Sequence, residues 1–167
     1  PALGPGECAI LHFEAVDWAC SVWLNGKKAC EHVGGYTPFS CDITPFLEDG
    51  PNRLSLSIYD PSEKGVQLRG KQRIDRGTMW YTAQSGIWQS VWLEAVPATA
   101  VTEIAWTPAR ACDAVELEVT MSRQAPAGAR LAAELSVAGR ALASASVTLP
   151  ACSIATLTVP LREMVHG

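Results

Sequence analysis

Hydrolysis without a cofactor needs side chains that can pass a proton or attack a bond, and carboxylates are the first residues to test for that role. In this chain of 167 residues, Glu14 and Asp17 fall on opposite faces of an extended segment or at its end. Glu116 and Glu118 share the outer face of a strand, and Asp75 stands alone among cations. None of these forms an acid and nucleophile pair, so the chain is expected not to catalyse by itself. His12, His32 and His166 lack the mutual spacing of a metal site, and no cysteine or carboxylate cluster completes one, so neither a metal nor any other cofactor is expected. The six cysteines, Cys8, Cys20, Cys30, Cys41, Cys112 and Cys152, contain no Cys-x-x-Cys pair. Cys20 lies in phase with Val22 and Leu24, as a small buried hydrophobe does, and all six are read as thiols. Gly34-Gly35 lies between strands and is not a phosphate loop.

The polar residues with most reach lie between Asp60-Pro61 and Met79. That stretch has no apolar period and carries Lys64, Arg69, Lys71, Gln72, Arg73, Asp75 and Arg76. A loop longer than about 12–15 residues inside a compact domain is usually functional or disordered. It runs into the aromatic stretch Gly77 to Glu94. Residues 87 to 95 place Ile87, Val91 and Leu93 on one face and Trp88 and Trp92 on the other, which predicts an inner strand with both tryptophans in the core. Trp80 and Tyr81 close the loop, where aromatic rings can also grip a ligand.

These side chains must be positioned by strands. Cys8 to Val16, Ala19 to Leu24, Lys27 to Val33, Tyr36 to Ile43 and Arg53 to Tyr59 read as extended segments, with Asn25-Gly26 as a type I′ hairpin turn. Asp42 to Leu47 reads as one helical turn entered through Pro45. Leu54, Leu56 and Ile58 are predicted to face inward beside Val22, Leu24, Val91 and Leu93. After the linker-like Pro97 to Ala100, strands are predicted at Val101 to Trp106, Val115 to Met121, Leu131 to Val137, Ala141 to Leu149 and Ile154 to Leu161. Their spacing of about ten residues is that of a β-sandwich, with Leu117, Val119, Leu135 and Val137 predicted as core.

Composition sets the outer bounds. With 48% apolar residues the chain can build a real core. Thirteen basic against 17 acidic residues, in no run of either sign, argue against nucleic acid or an anionic membrane as partner. No stretch approaches the roughly 20 apolar residues of a membrane span, and Pro1 to Gly6 does not read as a signal peptide.

Several separated motifs resemble one family. Trp23-Leu24-Asn25-Gly26, then His32-Val33-Gly34-Gly35-Tyr36-Thr37-Pro38-Phe39 with Asp42-Ile43-Thr44, then Asn52-Arg53-Leu54, then Ser85-Gly86-Ile87-Trp88 with Val91-Trp92-Leu93 are similar in order and spacing to the N-terminal sugar-binding-like domain of glycoside hydrolase family 2. That family holds β-galactosidases, β-glucuronidases and β-mannosidases. The resemblance implies an all-β chain: a jelly-roll, galactose-binding-like β-sandwich over residues 1–97, truncated at its N-terminus, and an incomplete immunoglobulin-like β-sandwich over residues 98–167. In the family a (β/α)₈ barrel follows with the catalytic glutamates, and retaining enzymes hold their two carboxyls about 5–5.5 Å apart. The chain is therefore expected to be a non-catalytic fragment of a glycosidase acting on terminal β-linked sugars, β-galactosides first and β-glucuronides next. A carbohydrate substrate would be its partner through the barrel, with a homo-oligomeric, cytoplasmic parent as the accompanying expectation.

The resemblance further implies that the loop before Trp80 reaches toward the active-site mouth, where family β-galactosidases carry an acid just before a Met-Trp pair. Met79-Trp80 matches that pair, but Gly77 and Thr78 stand where the acid belongs, and the nearest carboxylate is Asp75. Arg69, Lys71, Gln72 and Asp75 are thus the substrate-binding candidates. Two other readings stay open: a free-standing carbohydrate-binding module that stacks sugar on Trp80, Tyr81 or Tyr36, and a spacer domain for oligomer contacts.

Overall fold

The computed structural model describes residues 3–161 and divides the chain into two compact units, Pro1–Val96 and Pro97–Gly167. Among the described residues the structure is all-β, with sheet packed on sheet and a single 3-10 turn at Thr44–Phe46.

The strands of the first unit are β1 (Glu7–Phe13), β2 (Val16–Asp17), β3 (Ala19–Leu24), β4 (Lys27–Val33), β5 (Phe39–Asp42), β6 (Leu54–Tyr59), β7 (Gln72–Arg73), β8 (Tyr81–Thr82), β9 (Gly86–Ile87) and β10 (Val91–Pro97). Two sheets, ordered β10-β1-β5 and β4-β3-β6, face each other. Alternation along β1 sends Ala9, Leu11 and Phe13 inward, and alternation along β3 sends Cys20, Val22 and Leu24 to meet them, with Cys41 and Ile43 closing the core. Asn25 and Gly26 both adopt positive φ, 52° and 78°, as the type I′ turn between β3 and β4 requires. The Asn25 side chain also ties that turn to its surroundings. It donates to Phe46 O at 2.9 Å and to Asn52 Oδ1 at 2.7 Å, and accepts from Arg53 N–H at 2.9 Å.

The second unit comprises β11 (Val101–Pro108), β12 (Ala114–Ala125), β13 (Arg130–Val137), β14 (Arg140–Thr148) and β15 (Cys152–Pro160). One sheet has the order β11-β12-β15, and β13 and β14 form an antiparallel hairpin. Register places Val115 opposite Val159, Leu117 opposite Leu157 and Val119 opposite Ala155, so both strands offer their apolar side chains to one face. Leu131 and Val147, paired across the hairpin, pack against the buried cluster of Met121, Ala125, Leu149 and Ala155.

Four expectations are corrected. Cys30 and Cys41 are joined in a disulfide, because β4 and β5 lie in different sheets and bring their Cα atoms to 6.0 Å, within bridging range. The predicted inner strand over 87–95 is two strands, β9 and β10, broken at residues 88–90. Among the described residues β10 pairs only with β1 and β9 only with β2, which leaves Ile87, Val91 and Leu93 exposed. Trp88 and Trp92 are 51% and 41% exposed and lie outside the core. Leu54 and Val137, predicted as buried, sit at strand ends beside turns and are exposed, while Leu56, Ile58, Leu117 and Leu135 are half-buried.

Candidate functional site

The site grows from the two-residue ladder of β2 and β9. Asp17 lies opposite Gly86 and Val16 opposite Ile87, and Trp88 N–H donates to Ala15 O at 3.4 Å. On the other side Gly34 N–H donates to Trp18 O at 3.1 Å, which draws the Gly34-Gly35 turn onto the same spot. Trp88 Nε1–H then donates to Gly35 O at 2.8 Å, fixing the indole, and the Tyr36 ring meets it edge-on with centroids 5.6 Å apart. The stacked rings of Phe13, Phe39 and His32 hold the far side of this turn, with centroid distances of 4.8 and 4.3 Å.

Asp17 is buried, and its Oδ1 is shut off from water without a hydrogen-bond partner among the described residues. Burial pushes its carboxyl above the usual carboxylate range, and the neighbouring Asp60 pushes it the same way. Asp60 itself is committed: Oδ1 accepts from Ser62 N–H at 2.7 Å and Oδ2 from the Ser85 hydroxyl at 2.6 Å. The two acids therefore do not make a free acid and nucleophile pair, since one of them clasps the loop. Asp17, Tyr36 and Trp88 line an open cavity of about 370 Å³ together with Gln72, Gln84, Ser85, Gly86 and Ile87.

The loop that walls this cavity is internally bonded. Its strand β7 pairs in parallel with β8, Gln72 opposite Tyr81. Gln72 Oε1 accepts from Gln84 N–H at 2.7 Å, and Arg76 donates to Thr82 Oγ1 at 3.0 Å. The Arg73 guanidinium lies over the Trp80 ring, 4.4 Å from its centroid, and Arg73 Nε is 3.9 Å from Glu63 Oε2. Trp80 is thus already occupied by a cation of its own loop.

Residues 4–97 match the family described as "Glycosyl hydrolases family 2, sugar binding domain". The chain belongs to that family. The family 2 chain is 30% identical over 118 residues to a β-galactosidase of Thermoanaerobacter pseudethanolicus, an alignment covering 69% of this chain and 15% of that protein. It is 36% identical over 57 residues to a β-glucuronidase of Canis lupus familiaris, covering 32% of this chain and 9% of that one. Among solved structures, an FMN-binding β-glucuronidase from Facaelibacterium prausnitzii L2-6 superposes with a TM-score of 0.69 at 18% identity, over 96% of this chain and 25% of that one. The first curated relatives are matched over only 11% and 15% of their length.

Of the substrate-binding candidates in this family 2 domain, only Gln72 lines the cavity. Lys71 and Asp75 are exposed on the loop, and Arg69 is half-buried with its Nε shut off from water and unpartnered among the described residues. Glu116 and Glu118 are exposed on β12. Glu14 accepts from Trp92 Nε1–H at 3.0 Å, and His12, stacked on Trp92 at 3.8 Å, reaches Glu94 Oε1 at 2.9 Å. The pairing of Asp17 with Gly86 across β2 and β9, which brings Trp88 to the same cavity, escaped the sequence reading. Its one visible trace was Gly35 of the Gly34-Gly35 pair, which leaves room for a buried carboxylate.

Proposed function

We propose that this chain serves a longer family 2 glycosidase as its non-catalytic portion, a jelly-roll sugar-binding-like domain over residues 1–97 followed by an immunoglobulin-like domain over residues 98–167. The parent would hydrolyse terminal β-linked sugars, β-galactosides first and β-glucuronides next, on a barrel supplied by the rest of the polypeptide. The observation that carries this is the match of residues 4–97 to the family's sugar binding domain, and the names of the relatives support the choice of sugars. The bonded loop from Pro61 to Trp80 would present Arg69, Lys71, Gln72 or Asp75 toward substrate. The fragment reading is tested by assaying the purified chain and its full-length parent on nitrophenyl β-galactoside and β-glucuronide. The parent should release nitrophenol and the chain alone should not. Turnover by the chain alone, or a parent inert on both glycosides, overturns the reading.

A further inference from the structure

The chain contains two asparagines, Asn25 and Asn52, and their side chains are bonded to each other at the hairpin turn between β3 and β4. Asn25 precedes Gly26, and an asparagine followed by glycine is open to intramolecular attack because no side chain screens the glycine nitrogen. In that reaction Gly26 N forms a bond to Asn25 Cγ, the Cγ–Nδ2 bond breaks, and ammonia leaves with the glycine amide proton. Water then opens the five-membered imide at either carbonyl, which leaves aspartate or isoaspartate at position 25.

Two features of the fold hold this reaction back. The first is the turn itself. Asn25 and Gly26 sit at φ 52° and 78° in the type I′ conformation, whose ψ at the first residue is small and positive. Closing the imide brings Asn25 Cβ and Gly26 N into eclipse about the Cα–C bond, so the turn must open first. The second is the grip on the carboxamide. Nδ2 donates to Phe46 O at 2.9 Å and to Asn52 Oδ1 at 2.7 Å, and Oδ1 accepts from Arg53 N–H at 2.9 Å. Expelling Nδ2 loses both donations. Asn52 cannot turn over to compensate, since its Oδ1 also accepts from Glu48 N–H at 2.8 Å and its Nδ2 donates to Glu48 O and Gly50 O at 2.8 and 2.9 Å. An aspartate at position 25 would therefore face two oxygens with no hydrogen to give them. Isoaspartate would add a backbone carbon to a two-residue turn. Gly26 itself is open to water, with nothing within 4 Å of the place a Cβ would take, so the bonds around Asn25 and not solvent access hold the site closed.

We propose that Asn25-Gly26 is a self-modification site, closed by the hydrogen bonds of Asn52, Phe46 and Arg53, which converts to aspartate or isoaspartate when the turn opens and cannot close again afterwards. It belongs to the first unit alone and is independent of any glycosidase activity.

The test is peptide mapping by mass spectrometry of the 167-residue chain held in mildly alkaline buffer, once folded and once in urea. The Asn25 peptide should exchange amide for acid about tenfold or more slowly in the folded chain, since only molecules with an opened turn react. The Asn52 peptide, where the Arg53 side chain screens the attacking nitrogen, should stay unchanged over the same period. Asn52→Ala, which withdraws one acceptor from Nδ2, should raise the rate in the folded chain several-fold. Hydrogen exchange at Arg53 N–H gives a measure that needs no variant, because conditions that speed this exchange should speed the modification with it. Asn25→Asp should lower the melting temperature by several degrees at neutral pH and by less in acid, where the carboxyl carries a proton to donate. Equal rates in the folded and unfolded chain, no modification of Asn25 even in urea, an unchanged rate in folded Asn52→Ala, modification that does not follow exchange at Arg53 N–H, or an unchanged melting temperature of Asn25→Asp at neutral pH would each overturn the proposal.

Discussion

A Cβ built on Gly35 would lie 2.6 Å from Asp17 Oδ1 and 3.0 Å from its Cγ, so the turn after β4 approaches the buried carboxylate as closely as only glycine allows. Gly34 before it is held at φ 141° and would meet Thr37 Oγ1 at 2.7 Å. Gly35 thus leaves the space in which the Asp17 side chain sits, while Gly34 leaves room for Thr37.

Gly35→Ala should destabilise the first unit by about 1–3 kcal/mol, the usual cost of forcing extra volume into a packed site. Thermal denaturation followed by circular dichroism measures it. An unchanged melting temperature would mean that the turn yields freely and that the fit around Asp17 is loose.

Asp17 also predicts a pH dependence. Its carboxyl is raised above the ordinary carboxylate range by burial and then by Asp60, so the native state holds the proton more tightly than the unfolded chain. Its contribution to stability is fully present below the unfolded carboxyl pKa, about 3.9. It is lost as pH rises through the higher native value. Asp17→Asn removes this loss. The variant's stability relative to the parent chain should improve between about pH 4 and neutrality, read from urea midpoints at both pH values. A difference that stays constant with pH would show that Asp17 titrates as a solvated carboxylate.

The Cys30–Cys41 bridge ties the β4-β3-β6 sheet to the β10-β1-β5 sheet across a sequence separation of 11 residues. Cys41→Ser should cost about 2–4 kcal/mol, since a short closed loop is opened in the unfolded ensemble. Peptide mapping without reductant should recover the Cys30 and Cys41 peptides cross-linked. Recovery of both as separate alkylated peptides would refute the bridge.

The parts of the fold that were legible in sequence are those governed by local periodicity and turn chemistry. Ala19–Leu24 and Lys27–Val33 around Asn25-Gly26 are found at their predicted bounds, and β11 to β15 start or stop within a few residues of expectation. Cys20, Val22 and Leu24 are buried because alternation is a property of the strand itself. Pairing partners and sheet edges are not local properties, and there the reading failed. Trp88, Val91, Trp92 and Leu93 alternate like core residues, but β9 and β10, which flank and hold them, each have one strand neighbour among the described residues, and all four side chains remain exposed. The disulfide was missed for the same reason, since Cys30 and Cys41 meet only once the two sheets close. The cavity was half visible: Gln72 was chosen for its place on a long polar loop, whereas Asp17 and Trp88 come together through the register of a two-residue ladder.

That ladder also narrows the choice among the loop candidates. Gln72 alone of Arg69, Lys71, Gln72 and Asp75 lines the cavity, and its side chain has a second duty, accepting the Gln84 N–H across the loop. In the intact parent enzyme, Gln72→Ala should lower kcat/KM by about tenfold, roughly 1.4 kcal/mol of transition-state binding. Lys71→Ala and Asp75→Ala, at exposed positions, should cost less. The alanine variant cannot by itself separate contact with substrate from loosening of the loop, but Gln72→Glu can. It keeps an acceptor oxygen for Gln84 N–H while replacing the amide donor with a negative charge beside Asp17. If Gln72 donates to a neutral sugar, the glutamate variant should fall at least as far as the alanine one while its melting temperature holds. Wild-type kcat/KM in Gln72→Glu would reduce the residue to a pin for the loop, and a larger loss at Lys71 or Asp75 would move the substrate contact to the loop's exposed face.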